Sequence, residues 1–270
     1  MAGTQARDPR AAVSQAFRLF WTGWVFNVKN LTMSGFFILN ATISPIFFAT
    51  IAHYMFASGA RPGSGLVYAS LGAGMMGIWS SVLFGSGGLI QWQRWQGTLE
   101  YVIGVPPRLI VVVLPMTVAT ASIGLYSIAS TLLWGRIIFG LPLDFVHPAW
   151  FVVALVGSIV SLGLLGLVLS STFVLLRNAN SLSNLLEYPV WLVTGLLISL
   201  SLLPGWTRPI SWVLAPTWGI RGIRYAALGG DPVFPIVMCA ALGLIYLAIG
   251  HYTLGYFEVR ARKSATLALR

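Results

Sequence analysis

Long apolar runs separated by short polar breaks dominate the chain. Six of them reach the roughly 20 residues that an α-helix needs to cross a ~30 Å hydrocarbon layer. They are Met33–Ala57, Gly65–Gln91, Leu109–Trp134, Ala149–Leu176, Leu185–Leu203 and Val233–Phe257. The runs are continuously apolar and do not alternate from residue to residue, which predicts helices and not the strands of a membrane barrel. The expected fold class is an all-α membrane protein with six transmembrane helices, forming one transmembrane domain over residues 1–270 with its six-span bundle at 33–257.

Two segments outside the runs carry their own pattern. Across residues 10–30, Val13, Ala16, Phe17, Phe20, Trp21, Trp24, Val25 and Val28 recur at helical spacing, while Arg10, Ser14, Gln15 and Arg18 avoid that stripe. This predicts an amphipathic helix lying in the membrane interface, with its tryptophans at headgroup depth. A seventh span would place Arg18 in its middle, at a cost of about 2.5–3.5 kcal/mol. Residues 204–230 hold too much Pro, Gly and Arg to span, yet contain Trp206, Trp212, Trp218 and Tyr225. They are expected to form two short re-entrant helices broken at Pro216, entering the outer leaflet from outside.

Composition agrees with the pattern. Hydrophobic residues make up 57% of the 270 and charged residues only 8%, against about 25% charged in soluble domains. Net charge is +10, from 16 Lys+Arg against 6 Asp+Glu. No basic run interleaves with exposed aromatics, so nucleic acid is not an expected partner. The basic residues set topology instead. With six spans, eleven of the sixteen fall on the side of the two termini, and Arg61, Arg136, Arg208, Arg221 and Arg224 fall opposite. Both termini, including the basic tail 258–270, are therefore expected in the cytoplasm of a bacterial plasma membrane. Met1–Arg10 has no apolar core and does not read as a signal peptide. The single cysteine, Cys239, allows neither an intrachain disulfide nor a cysteine metal cluster.

Candidate chemistry is sparse. The six acidic residues and His53, His147 and His251 are scattered, and no HExxH or GxSxG motif occurs, so no catalytic or metal residues are expected. The lysines, Lys29 and Lys263, do not follow glycine, which excludes a phosphate-binding loop in this chain. Ion-driven carriers keep ionisable groups deep in the membrane, and the central parts of all six runs lack them. Glu187 is the nearest candidate, about two residues inside the fifth run; there it reads either as a path residue or as a cytoplasmic-end partner of Arg177. Ala73, Gly77, Ser81 and Gly85 place a small residue at every fourth position of the second run, and Thr117, Thr120, Gly124, Ser127 and Thr131 line one face of the third. Such stripes pack helices closely or line a path.

The longest cytoplasmic connection, residues 91–108, reads QWQRWQGTLEYVIGVPPR. A helix over Gln91–Val102 would put Trp92, Trp95, Leu99 and Val102 on one face, ended by Pro106 and Pro107. GTLEYVIGVPPRL resembles the gate and coupling segment after the second span of type-2 permeases of ATP-binding-cassette exporters. The amphipathic helix at 10–30, the LPGW…R…W…P…R…R run at 203–224 and the short basic tail are similar to that family too. The resemblance implies that Arg94, Gly97, Thr98, Leu99, Glu100 and Pro106 couple this chain to a cytosolic ABC ATPase that carries the ATP and Mg. It further implies a second permease copy, identical or related, and a substrate between the permeases against spans one, two and five. Where family members commonly place glutamates this chain has Gln93, Trp95 and Gln96, which fits a non-identical second permease. Hydrophobic walls suit a drug-, antibiotic- or lipid-like cargo better than a charged polysaccharide. An ion-coupled carrier and a lipid-linked glycan exporter of the same architecture are the alternatives.

Overall fold

The structure, a computed structural model, describes residues 9–33, 62–95, 97, 109–173 and 179–264, with isolated positions between 35 and 54. These residues form α1 (Pro9–Thr32), α2 (Pro62–Trp95), α3 (Leu109–Phe139), α4 (Pro148–Phe173), α5 (Ala179–Val193), α6 (Arg208–Val213), α7 (Ala215–Leu228) and α8 (Val233–Ser264). Short 3-10 turns at Leu200–Leu202 and Gly205–Thr207 link α5 to α6. No strand occurs among the described residues.

Four described helices, α2, α3, α4 and α8, are long and apolar enough to cross a membrane. The first expected span, Met33–Ala57, lies largely outside the described residues. The fifth, Leu185–Leu203, is not one continuous helix. Its helix starts earlier, at Ala179, and stops at Val193 after 15 residues, about 22 Å of rise. Gly195 takes φ 78 there, its N–H bonds Leu192 O at 3.2 Å, and the Leu196 N–H reaches back to Trp191 O at 3.2 Å. Those paired bonds around a left-handed glycine form a Schellman stop.

The helix at 10–30 is present as α1, and its apolar stripe divides. Phe17 and Trp21 are exposed, whereas Trp24 donates to Ser122 Oγ of α3 at 3.0 Å and Gly23 faces Pro115. The stretch after span five does form two short helices, but the break falls at Leu214, with Pro216 in the first turn of α7. Proline is tolerated there because that N–H has no helical partner.

The core gathers around α2. Its apolar stretch is 78% buried, against 33% for α8, so α2 is the central post and α8 a peripheral one. Leu71, Met75, Ile78 and Val82 of α2 share the main apolar cluster with Leu162 of α4, Trp191 of α5 and Trp218 and Ile223 of α7. The connection between α3 and α4 closes one end, where the N–H groups of Val146 and His147 bond Ala227 O and Ala226 O of α7.

Candidate functional site

Two seams run along α2. On the first, α2 meets α3 through small residues. A Cβ built on Gly77 would lie 1.7 Å from Ser127 Oγ, and one on Gly85 2.5 Å from Thr120. The two small-residue stripes thus face each other and let the backbones approach. Ala73 is buried in α2, and Ser81 is half-buried on the same stretch.

The second seam joins α2 to α5 and the turn beyond it, running antiparallel in steady register. Ser183 Oγ donates to Leu83 O at 3.4 Å, and Ser80 Oγ donates to Glu187 Oε1 at 2.6 Å. Further along, Leu196 O passes so close to Gly72 that a Cβ there would stand 2.1 Å from it. This register relocates Glu187. Residues 179–184, polar enough to read as a loop, form the first turns of α5, so Glu187 lies eight residues into the helix. Its partner Ser80 precedes Gln91, the next strongly polar side chain of α2, by eleven residues, about 16 Å of helix. The carboxylate is deep in the bundle, half-buried, and far from the helix end where the sequence placed it. Arg177, its suggested partner, lies outside the described residues.

Sequence reading missed the group that closes the end of this seam. Arg224 of α7 counts in the sequence as one of five charges on the outer side, yet only 6% of it is exposed. Its Nε donates to Tyr68 O at 3.2 Å, Nη1 to Gly195 O at 2.7 Å and Nη2 to Leu196 O at 3.0 Å. The guanidinium also stacks over the Tyr68 ring, 3.4 Å from its centroid. A planar fork of N–H donors suits this cage, which no point-like ammonium could serve. The carbonyls of Gly195 and Leu196 belong to the Schellman turn, where the helix dipole of α5 is negative, and that of Tyr68 belongs to α2. The signal in the sequence was the spacing of Ile220, Ile223 and Ala227, which puts Arg224 on the buried face of α7. Arg221, by contrast, stays half-buried over the Trp218 ring at 5.1 Å.

Of the expected coupling residues, the structure places two. Arg94 lies in the last helical turn of α2, and Gly97 follows in a turn with φ 68. Of the expected helix over Gln91–Val102, Gln91–Trp95 continue α2 and do not start a separate helix, Gly97 has a left-handed backbone, and residues 98–102 lie outside the described residues. Thr98, Leu99, Glu100 and Pro106 lie outside the described residues.

The sequence that folds into this helical bundle matches a known family. The model of the ABC-2 type transporter family matches residues 18–228. The chain belongs to the ABC-2 type transporter family. It is accordingly a multi-pass membrane protein and the permease component of a transporter, and not itself the catalytic part. For an ABC-2 permease the family implies a partner ATPase and, as a rule, a dimeric arrangement. The match takes in α1 from Arg18 onward and ends at Leu228, the last residue of α7, so that α7 and its Arg224 cage belong to the shared region. No curated protein matches the chain.

Proposed function

We propose that this permease subunit works in an ATP-driven exporter that moves a hydrophobic or amphipathic substrate outward, with ATP and Mg held on a separate cytosolic ABC ATPase. The observation that carries the reading is the family match over residues 18–228, joined to a chain that has no phosphate-binding loop of its own. Two permease copies, identical or related, flank the path and lie in a bacterial plasma membrane among its lipids, with both termini in the cytoplasm. The end bearing α6 and α7 then faces outward, and these two helices enter the outer leaflet.

In this arrangement Arg94, Gly97, Thr98, Leu99, Glu100 and Pro106 meet the ATPase. Helix α1 supplies a second lever, because the Trp24–Ser122 hydrogen bond and the Gly23–Pro115 approach tie it to α3. ATPase closure pushes on both levers and shifts the balance between inward- and outward-open states, which requires only that the ATP-bound partner favour one of them.

The test is made on the complex with the P-loop subunit that co-purifies from native membranes. Glu100→Ala is expected to leave insertion and amount unchanged while lowering substrate-stimulated ATP hydrolysis by about tenfold, equivalent to ~1.4 kcal/mol of coupling. Stimulation equal to the unmodified complex would remove Glu100 from the coupling role. Failure of any nucleotide-hydrolysing subunit to co-purify would count against the exporter itself.

A further inference from the structure

Glu187 is the single charged side chain within the six apolar stretches. A carboxylate in hydrocarbon is costly and is retained where it meets a counter-charge or a path. Among the described residues it has one hydrogen-bond partner, the neutral Ser80 hydroxyl at 2.6 Å, and no ion pair. An ionised carboxylate offers about four acceptor positions, so one hydroxyl leaves most of its capacity unspent. Arg224, the buried cation described along the seam, is already committed to three carbonyls and an aromatic face.

The surroundings of the carboxylate suit a cation. It is half-buried, so a ligand can reach it without unpacking the core. Tyr188, the next residue, is 61% exposed, and its ring meets that of Trp191 edge-on at 5.1 Å. An exposed, electron-rich ring on the same helix as the carboxylate is a surface on which the apolar part of an organic cation can rest. A proton relay would need further titratable groups in line. Along this seam the described neighbours are Ser80, Ser183, Asn184 and Tyr188, with no second carboxylate and no histidine.

We propose that Glu187, set against Ser80 on the α2–α5 seam, is a recognition point for the positively charged group of the cargo, which makes the substrate class lipophilic organic cations. This rests on the exporter reading for its transport arm. Its binding arm stands independently of it.

The experiment uses tetraphenylphosphonium, a permanently charged lipophilic cation, and an uncharged tetraphenyl isostere. Equilibrium binding is measured on the purified full chain, and ATP-dependent movement on vesicles carrying the chain with its ATPase. Glu187→Gln is expected to weaken cation binding by about tenfold or more, as for loss of one charge-assisted contact, and to leave the isostere unchanged. On unmodified protein, the cation and not the isostere protects Glu187 from a hydrophobic carbodiimide, a readout that does not depend on any variant folding. Equal binding of the cation to Glu187→Gln and to the unmodified chain would overturn the proposal. Equal weakening of both probes would also overturn it, since a merely structural Glu187 does that. Loss of transport in Glu187→Gln with cation binding intact would assign the carboxylate to proton movement and overturn it as well. Cation binding that depends on Glu187, with no ATP-dependent movement of either probe, would keep the site and sink the exporter reading.

Discussion

Arg224→Ala is expected to destabilise the folded chain by about 3–5 kcal/mol, since it strips partners from three buried carbonyls and opens a cavity over Tyr68. The carbonyls of Gly195 and Leu196, in the turn after α5, and of Tyr68, on α2, come from two separate stretches that the guanidinium of α7 ties together. Water has little access to replace it, because the side chain is almost fully buried. Arg224→Lys keeps the charge but loses the fork and most of the ring stacking, so its cost falls between those of the unmodified chain and the alanine variant. Denaturation in mixed micelles, followed by tryptophan fluorescence, reads the order directly. An alanine variant as stable as the unmodified chain would mean that the cage contributes nothing.

Gly77→Ala is the second large effect. The added methyl would lie 1.7 Å from Ser127 Oγ and 2.5 Å from Ser127 Cβ, so α2 and α3 must separate or Ser127 must shift, at about 1–3 kcal/mol for an overpacked site. Because the clash is with one side chain, the pair is expected to be strongly non-additive. Ser127→Gly placed beside Gly77→Ala restores most of the lost stability, in the same micelle assay. If the double variant were no better than Gly77→Ala alone, the close approach of α2 and α3 at this level would be refuted.

The sequence was informative where a pattern extends over many residues. Apolar runs located α2, α3, α4 and α8 because a membrane-crossing helix, whether it faces lipid or the bundle core, has few polar positions to blur them, and period-3.6 spacing located α1 for the same reason of repetition. Proline and glycine marked the break between α6 and α7, displaced by two residues because Pro216 starts a helix as readily as it ends one. What stayed hidden depends on single residues. Gly195 sits in an apolar run, GLLISLSLL, where nothing in the pattern announces a left-handed turn. The polar start of α5 reads as a loop because its serines and asparagines lack helical periodicity, yet Ser183 is buried and bonded to Leu83 O. That misplaced start put Glu187 at a helix end. Arg224 was counted by charge alone, and charge is silent about a carbonyl cage formed by other segments. The small-residue stripes were visible, but that they face each other emerges only in the folded bundle.

Arg224 and Glu187 also give the seam between α2 and α5 a consistent logic. At the α7 end a cation satisfies backbone oxygens and holds three segments together, while deeper in the bundle a carboxylate has, among the described residues, a hydroxyl for a partner.

The central claim is that this chain supplies the path while another subunit hydrolyses the ATP. Its most direct test is uptake of tetraphenylphosphonium into inside-out vesicles, with the chain alone and with the co-purified P-loop subunit. Accumulation only when the ATPase and hydrolysable ATP are both present is the predicted result. Accumulation by the chain alone under a proton or sodium gradient, without any nucleotide, would contradict it.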